Sequence, residues 1–212
     1  MISVRAARMG DRIVHAMREI GICGADLEGL RGAYAAAVAP RERGPDALSN
    51  DQHPAFLHPG RTVLILIQDV METDPRVLAV GALAESRDLQ LRASRSAALT
   101  ALRSFEQGEE ACDWWEALPL PVWSLSEGDE ETDGVLLDTL VTTEVPLQQV
   151  VLAEALDQLR HAHRWDSPQS RTRAAELAER VLHPIAAQVH PNLARRYAWW
   201  THRVGRALRA TS

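Results

Sequence analysis

What most constrains this chain is a helical stripe of apolar residues, broken by prolines at the points where helices start. Asp74-Pro75 reads as an N-cap followed by a first-turn proline. The ring fixes φ near the helical value and removes an N–H that would have no intrahelical partner. Pro146, Pro168 and Pro191 stand ahead of three further periodic stretches, predicting helices to about Trp165, Val189 and Arg209. Residues 2–20 place Ile2, Ala6, Met9, Ile13, Ala16, Met17 and Ile20 near one stripe that ends at Gly21. A second helix is expected over 24–39, with Asp26 as its N-cap and Pro40 as its stop.

The stretch 40–60 holds Pro40, Pro45, Pro54 and Pro59 with Gly44 and Gly60, so it reads as loop. Residues 61–71 are apolar and β-branched, which pulls toward strand. Their helical surroundings decide for a buried core helix. Helices follow over 74–87 and 93–105. With 212 residues, 46% of them hydrophobic, the chain can bury one sizeable core or two small ones. The expected fold class is all-α: a single domain of about seven to nine helices, with residues 1–25 as an N-terminal helix extension and 26–212 as the domain proper.

Charge is unevenly spread. The chain has 29 acidic residues and a net charge of −6. Between Ser104 and Leu159 lie 14 of those acids and no Arg, while all 23 basic residues, every one an Arg, lie elsewhere. Residues 108–134, with Pro119, Pro121, Gly128 and an acidic run from Glu127 to Gly134, read as an inserted acidic loop, mobile or held by Arg from elsewhere. The negative balance argues against a nucleic-acid partner. The longest apolar run, Val63 to Ile67, is far too short for a bilayer, and Arg5, Arg8, Asp11 and Arg12 interrupt any apolar leader. Two cysteines, Cys23 and Cys112, make no disulfide framework. The expectation is a cytoplasmic protein that does not enter membranes.

Phosphate-loop, dinucleotide and Gly-x-Ser-x-Gly patterns do not occur, nor does a Cys-x-x-Cys pair. His161 and His163 are two apart on one expected helix, so they do not face a common ion. The informative residues are dispersed. Phe56-Leu57-His58-Pro59 precedes the apolar helix over 62–70. Next comes Val77-Leu78-Ala79-Val80-Gly81-Ala82-Leu83-Ala84-Glu85-Ser86-Arg87-Asp88, and later Leu152-Ala153-Glu154-Ala155-Leu156-Asp157-Gln158-Leu159-Arg160.

This order resembles the HD-domain metal phosphohydrolases, and among them the RelA/SpoT-like alarmone hydrolases. In that family a His-Pro step opens a core helix, and an "A-A-L-L-H-D" helix with acidic residues just beyond it follows. A later "L-A-D-x-L-x-N-L-R" helix supplies the last metal ligand. Here Glu154 stands for the Asp of that last motif and Gln158 for its Asn. Residues 33–39, with Arg41 and Arg43 beyond them, resemble the family's first helix and phosphate-side loop. The resemblance covers roughly 26–100 and 140–205. The His-Asp dipeptide itself is absent. One register places Glu85-Ser86 there; the other places Ala84-Glu85 there and lets Asp88 stand for the family's catalytic Glu. Both registers stay open, and both put Glu85 on the site.

The resemblance implies His58, Glu85 and Glu154 as metal-ligand positions, Glu85 and Asp88 as catalytic positions, and Arg41, Arg43, Gln158 and Arg160 as contacts for a phosphorylated nucleotide. Family members use one divalent ion to polarise a phosphate oxygen. The set left here, one imidazole and two carboxylates, suits Mn²⁺ or Mg²⁺. An Asp-to-Glu exchange adds a methylene, and a displacement of ~1 Å can cost on the order of 10²-fold in rate. The preferred expectation is therefore a degenerate, non-catalytic HD-like protein without a cofactor, serving as a nucleotide-sensing or protein-interaction module. The alternative is a divergent metal-dependent phosphohydrolase acting on a pyrophosphorylated nucleotide such as guanosine tetraphosphate.

Overall fold

The computed structural model describes residues 3–40, 55–87, 92–119 and 130–210. The described residues are helical with no strand among them, in ten continuous helices. The chain divides into two compact units, residues 1–118 and 119–212.

In the first unit, α1 (Val4–Glu19) is capped by the Ser3 hydroxyl, which accepts from the Ala6 N–H at 3.2 Å. It buries Ala6, Met9, Ile13, Ala16 and Met17 on one stripe. The Tyr34 hydroxyl donates to the Ala6 carbonyl at 3.1 Å, which ties α1 to α2. Helix α2 (Gly24–Val38) starts later than its acidic signal suggests. Gly21 and Gly24 both have positive φ, the N-cap is Cys23, and Asp26 sits inside the first turn. Its carboxylate remains favourable there through the helix dipole rather than through a capping bond.

Helices α3 (His58–Ile65) and α4 (Pro75–Leu83) form an antiparallel pair at the centre of this unit. The apolar run is helical, with no strand: α3 passes into a π turn over Leu66–Val70, and Met71 closes it in the left-handed region. Asp74 then caps α4, its carboxylate accepting from the Arg76 N–H at 2.8 Å, with Pro75 in the first turn. Gly81 leaves room on α4 for the Leu66 side chain: a Cβ there would lie 2.6 Å from Leu66 Cδ1. Helix α2 packs on α4 and on α5 (Arg92–Leu102).

The stretch expected as an acidic loop begins instead with a helix, α6 (Gly108–Ala117). Gln107 turns the chain with φ 57°, and a Cβ on Gly108 would lie 2.5 Å from the Leu102 carbonyl oxygen, so glycine is required. Gly108, Ala111, Cys112 and Trp115 are buried at helical spacing, while Glu109, Glu110 and Glu116 pair with Arg103, Arg76 and Arg95. The acids are thus the solvent face of an amphipathic helix.

In the second unit, residues 130–134, also expected as loop, open α7 (Glu130–Thr142). The buried Asp133 binds Arg173 in a two-pronged pair, one contact of 2.8 Å being Oδ2 to Nη1. Helix α8 (Val145–Leu159) follows, buried along most of its length. Next come α9 (Pro168–Leu177) and α10 (His183–Val189), joined by a π turn over Ala178–Leu182. Finally α11 (Pro191–Trp200) and α12 (Arg206–Ala210) are joined by a π turn over Thr201–Gly205. Helix α8 is held by α11 at two points. The Tyr197 hydroxyl donates to the Leu152 carbonyl at 2.7 Å, and the Trp200 indole N–H to the Leu159 carbonyl at 2.9 Å. No helix among the described residues is long and apolar enough to cross a membrane.

Candidate metal centre

His58 opens α3, and Pro59 and Gly60 behind it are buried too. A Cβ on Gly60 would overlap Met9 Cγ and stand 3.1 Å from Tyr34 Cε2, so glycine lets this helix start seat against α1 and α2. Glu85 lies in the 3-10 turn Ala84–Arg87 that ends α4. Antiparallel packing sets the register: Thr62 faces Gly81, and one turn away His58 faces Glu85. His58 Nε2 and Glu85 Oε2 are 3.9 Å apart, with side-chain exposures of 6% and 15%.

That end of α4 is pinned by α6. The buried Trp115 indole N–H donates to the Leu83 carbonyl at 2.9 Å, satisfying an acceptor where the α-helix gives way to the tighter turn. At the other end of α4, the Arg76 guanidinium lies 4.9 Å from the Trp114 ring centroid and bonds Asp74 and Glu110. These tryptophans support the helix that carries Glu85. In sequence they sit in the stretch that reads as loop, and the 108-111-112-115 spacing could have marked only Trp115.

Glu154 stands midway along α8, 2% exposed, and Asp157 one turn on is fully buried. Burial raises the Tyr197 phenol well above its ordinary range, and the Glu154 charge pushes it the same way. Tyr197 therefore stays a neutral donor to the Leu152 carbonyl. Arg160 Nη1 lies 3.9 Å from Asp157 Oδ1 and is part-exposed, as is Gln158. Asp88, Arg41 and Arg43 lie outside the described residues.

Within the first unit, His58 and Glu85 bring an imidazole nitrogen and a carboxylate oxygen to 3.9 Å of one another, while Glu154 is buried within the second unit. The His58–Glu85 pair offers one imidazole and one carboxylate donor, a chemistry that suits a hard or borderline cation when further oxygen ligands complete the shell. No family model, no curated protein and no solved structure matches the chain.

Proposed function

We propose that the chain is a degenerate HD-like protein that holds one divalent ion, Mn²⁺ or Mg²⁺, on His58, Glu85 and Glu154, and uses it to bind a phosphorylated nucleotide without hydrolysing it. The observation that carries this reading is the buried His58–Glu85 pair, Nε2 to Oε2 at 3.9 Å, at two of the positions that the resemblance gives to metal ligands. It supports a bound ion in place of the cofactor-free state favoured by the sequence. Ions of this class are commonly held by one or two carboxylates and complete their shell with water and ligand phosphates. When bound, the ion would supply positive charge for phosphate oxygens.

The protein's own residues define the rest. His58 presents Nε2 from the start of α3, Glu85 is fixed by the Trp115-pinned end of α4, and Glu154 by an α8 whose backbone Tyr197 and Trp200 hold. With Glu85 and Glu154 engaged as ligands, neither is left to take a proton from an attacking water, which favours binding over turnover. Arg160, the part-exposed residue that ends α8, offers charge-assisted bonds to a phosphate.

The test incubates the protein with guanosine tetraphosphate and Mn²⁺, beside a Glu154→Ala variant. Mn²⁺-dependent binding without product, lost in the variant, is the expected result. Turnover by the parent that disappears in the variant would replace this reading with the phosphohydrolase one. Binding equal in both, or absent from the parent, would remove the ion from the account.

A further inference from the structure

Two buried hydroxyls near the candidate ligands, Thr62 Oγ1 and Ser86 Oγ, have no hydrogen-bond partner among the described residues. Thr62 is 1% exposed and lies inside α3. A helical threonine can satisfy its hydroxyl on the carbonyl one turn back, here that of His58, and Thr62 does not. An orphan hydroxyl of this kind costs on the order of 1–3 kcal/mol, and it persists in a folded protein when a water, an ion or a ligand satisfies it.

Its position says which. Thr62 is four residues after His58, so the two side chains share one face of α3. Across the pair it faces Gly81, four residues before Glu85. The atom of Thr62 nearest to a would-be Gly81 Cβ is the methyl Cγ2, at 3.9 Å. Gly81 puts no side chain between Thr62 and the turn that carries Glu85. Four residues of helix rise about 6 Å, too far for the short threonine side chain to join the shell that His58 Nε2 enters directly, and near enough for one intervening water.

We infer that Thr62 is a positioning residue for the ion: its hydroxyl holds a water that the ion carries on the His58–Glu85 side. This rests on the metal-binding reading above. Partners of this outer kind typically carry 10–100-fold in metal affinity. The experiment titrates the full chain, stripped with chelator, with Mn²⁺ alone and follows binding by calorimetry and by the paramagnetic resonance of free Mn²⁺. Thr62→Val keeps the shape and removes the hydroxyl; Thr62→Ser keeps the hydroxyl.

Thr62→Val is expected to bind Mn²⁺ at least ~10-fold more weakly, while its ion-free thermal midpoint is equal to or above the parent's because an unsatisfied group has gone. Thr62→Ser is expected to stay within about threefold of the parent. Equal affinity in parent and Thr62→Val would overturn the inference while leaving the three-ligand site intact. So would an equal loss in both variants, which would point to packing by the methyl. A parent that takes up no Mn²⁺ would overturn both readings together.

Discussion

Trp115→Phe probes the support of the candidate site most sharply. The indole is fully buried and its N–H reaches the carbonyl of Leu83, two residues before Glu85. Phenylalanine keeps an apolar ring but cannot donate. The buried Leu83 carbonyl then loses its side-chain donor, which costs about 1–3 kcal/mol. The smaller ring leaves unfilled space worth on the order of 1 kcal/mol more. Together these predict a loss of about 2–4 kcal/mol, read as a lower urea midpoint with little change in slope. Trp114→Phe is the matched control. That ring is part-exposed and meets the Arg76 guanidinium at 4.9 Å, an interaction of about 0.5–1 kcal/mol that phenylalanine partly retains. If Trp115→Phe unfolded within about 0.5 kcal/mol of the parent, or no more readily than Trp114→Phe, the bond to Leu83 would not be what anchors the end of α4.

Gly81→Ala places a Cβ 2.6 Å from Leu66 Cδ1, so α3 and α4 must move apart or Leu66 must leave its rotamer; the expected cost is about 1–3 kcal/mol by denaturation, and Mn²⁺ binding should weaken with it. Asp74→Ala removes the cap of α4 and should cost about 1 kcal/mol at neutral pH. Burial on its own would raise the Asp74 carboxyl, but the Arg76 guanidinium, the Arg76 N–H and the Arg76 charge outweigh it and hold the group below its ordinary 3.8. A lowered carboxyl stabilises fully above the ordinary value and loses that contribution as pH falls through the folded-state one. The gap between parent and Asp74→Ala in an acid titration should therefore be constant above pH 3.8 and close below it.

The helices were most legible where a local rule and the tertiary packing agree. Pro75, Pro146, Pro168 and Pro191 all occupy the first turn of a helix, because that is where a missing N–H costs nothing. The β-branched run after Thr62 is helical because α1, α2 and α4 bury it, and burial outweighs a weak intrinsic preference. Helix α6 was not legible, since Glu109, Glu110, Asp113 and Glu116 dominate the composition and hide the stripe of Ala111, Cys112 and Trp115. The three π turns have no compositional mark. Among the proposed ligands, His58 and Glu154 stand out through motif order, whereas Glu85 is reached only by accepting a carboxylate where the resembling pattern has histidine or aspartate. Thr62 looks like one more apolar-run residue until its burial and its unbonded hydroxyl are known.

Metal stoichiometry tests the central claim most directly. The full chain is stripped with chelator, re-equilibrated with Mn²⁺, dialysed and analysed by plasma mass spectrometry, alongside Glu85→Ala and Glu154→Ala. The account predicts about one Mn²⁺ per parent chain and well under half that in each variant, since loss of one of the three proposed protein donors leaves the ion on two. A parent without bound Mn²⁺, or variants that keep the parent's stoichiometry, would contradict it.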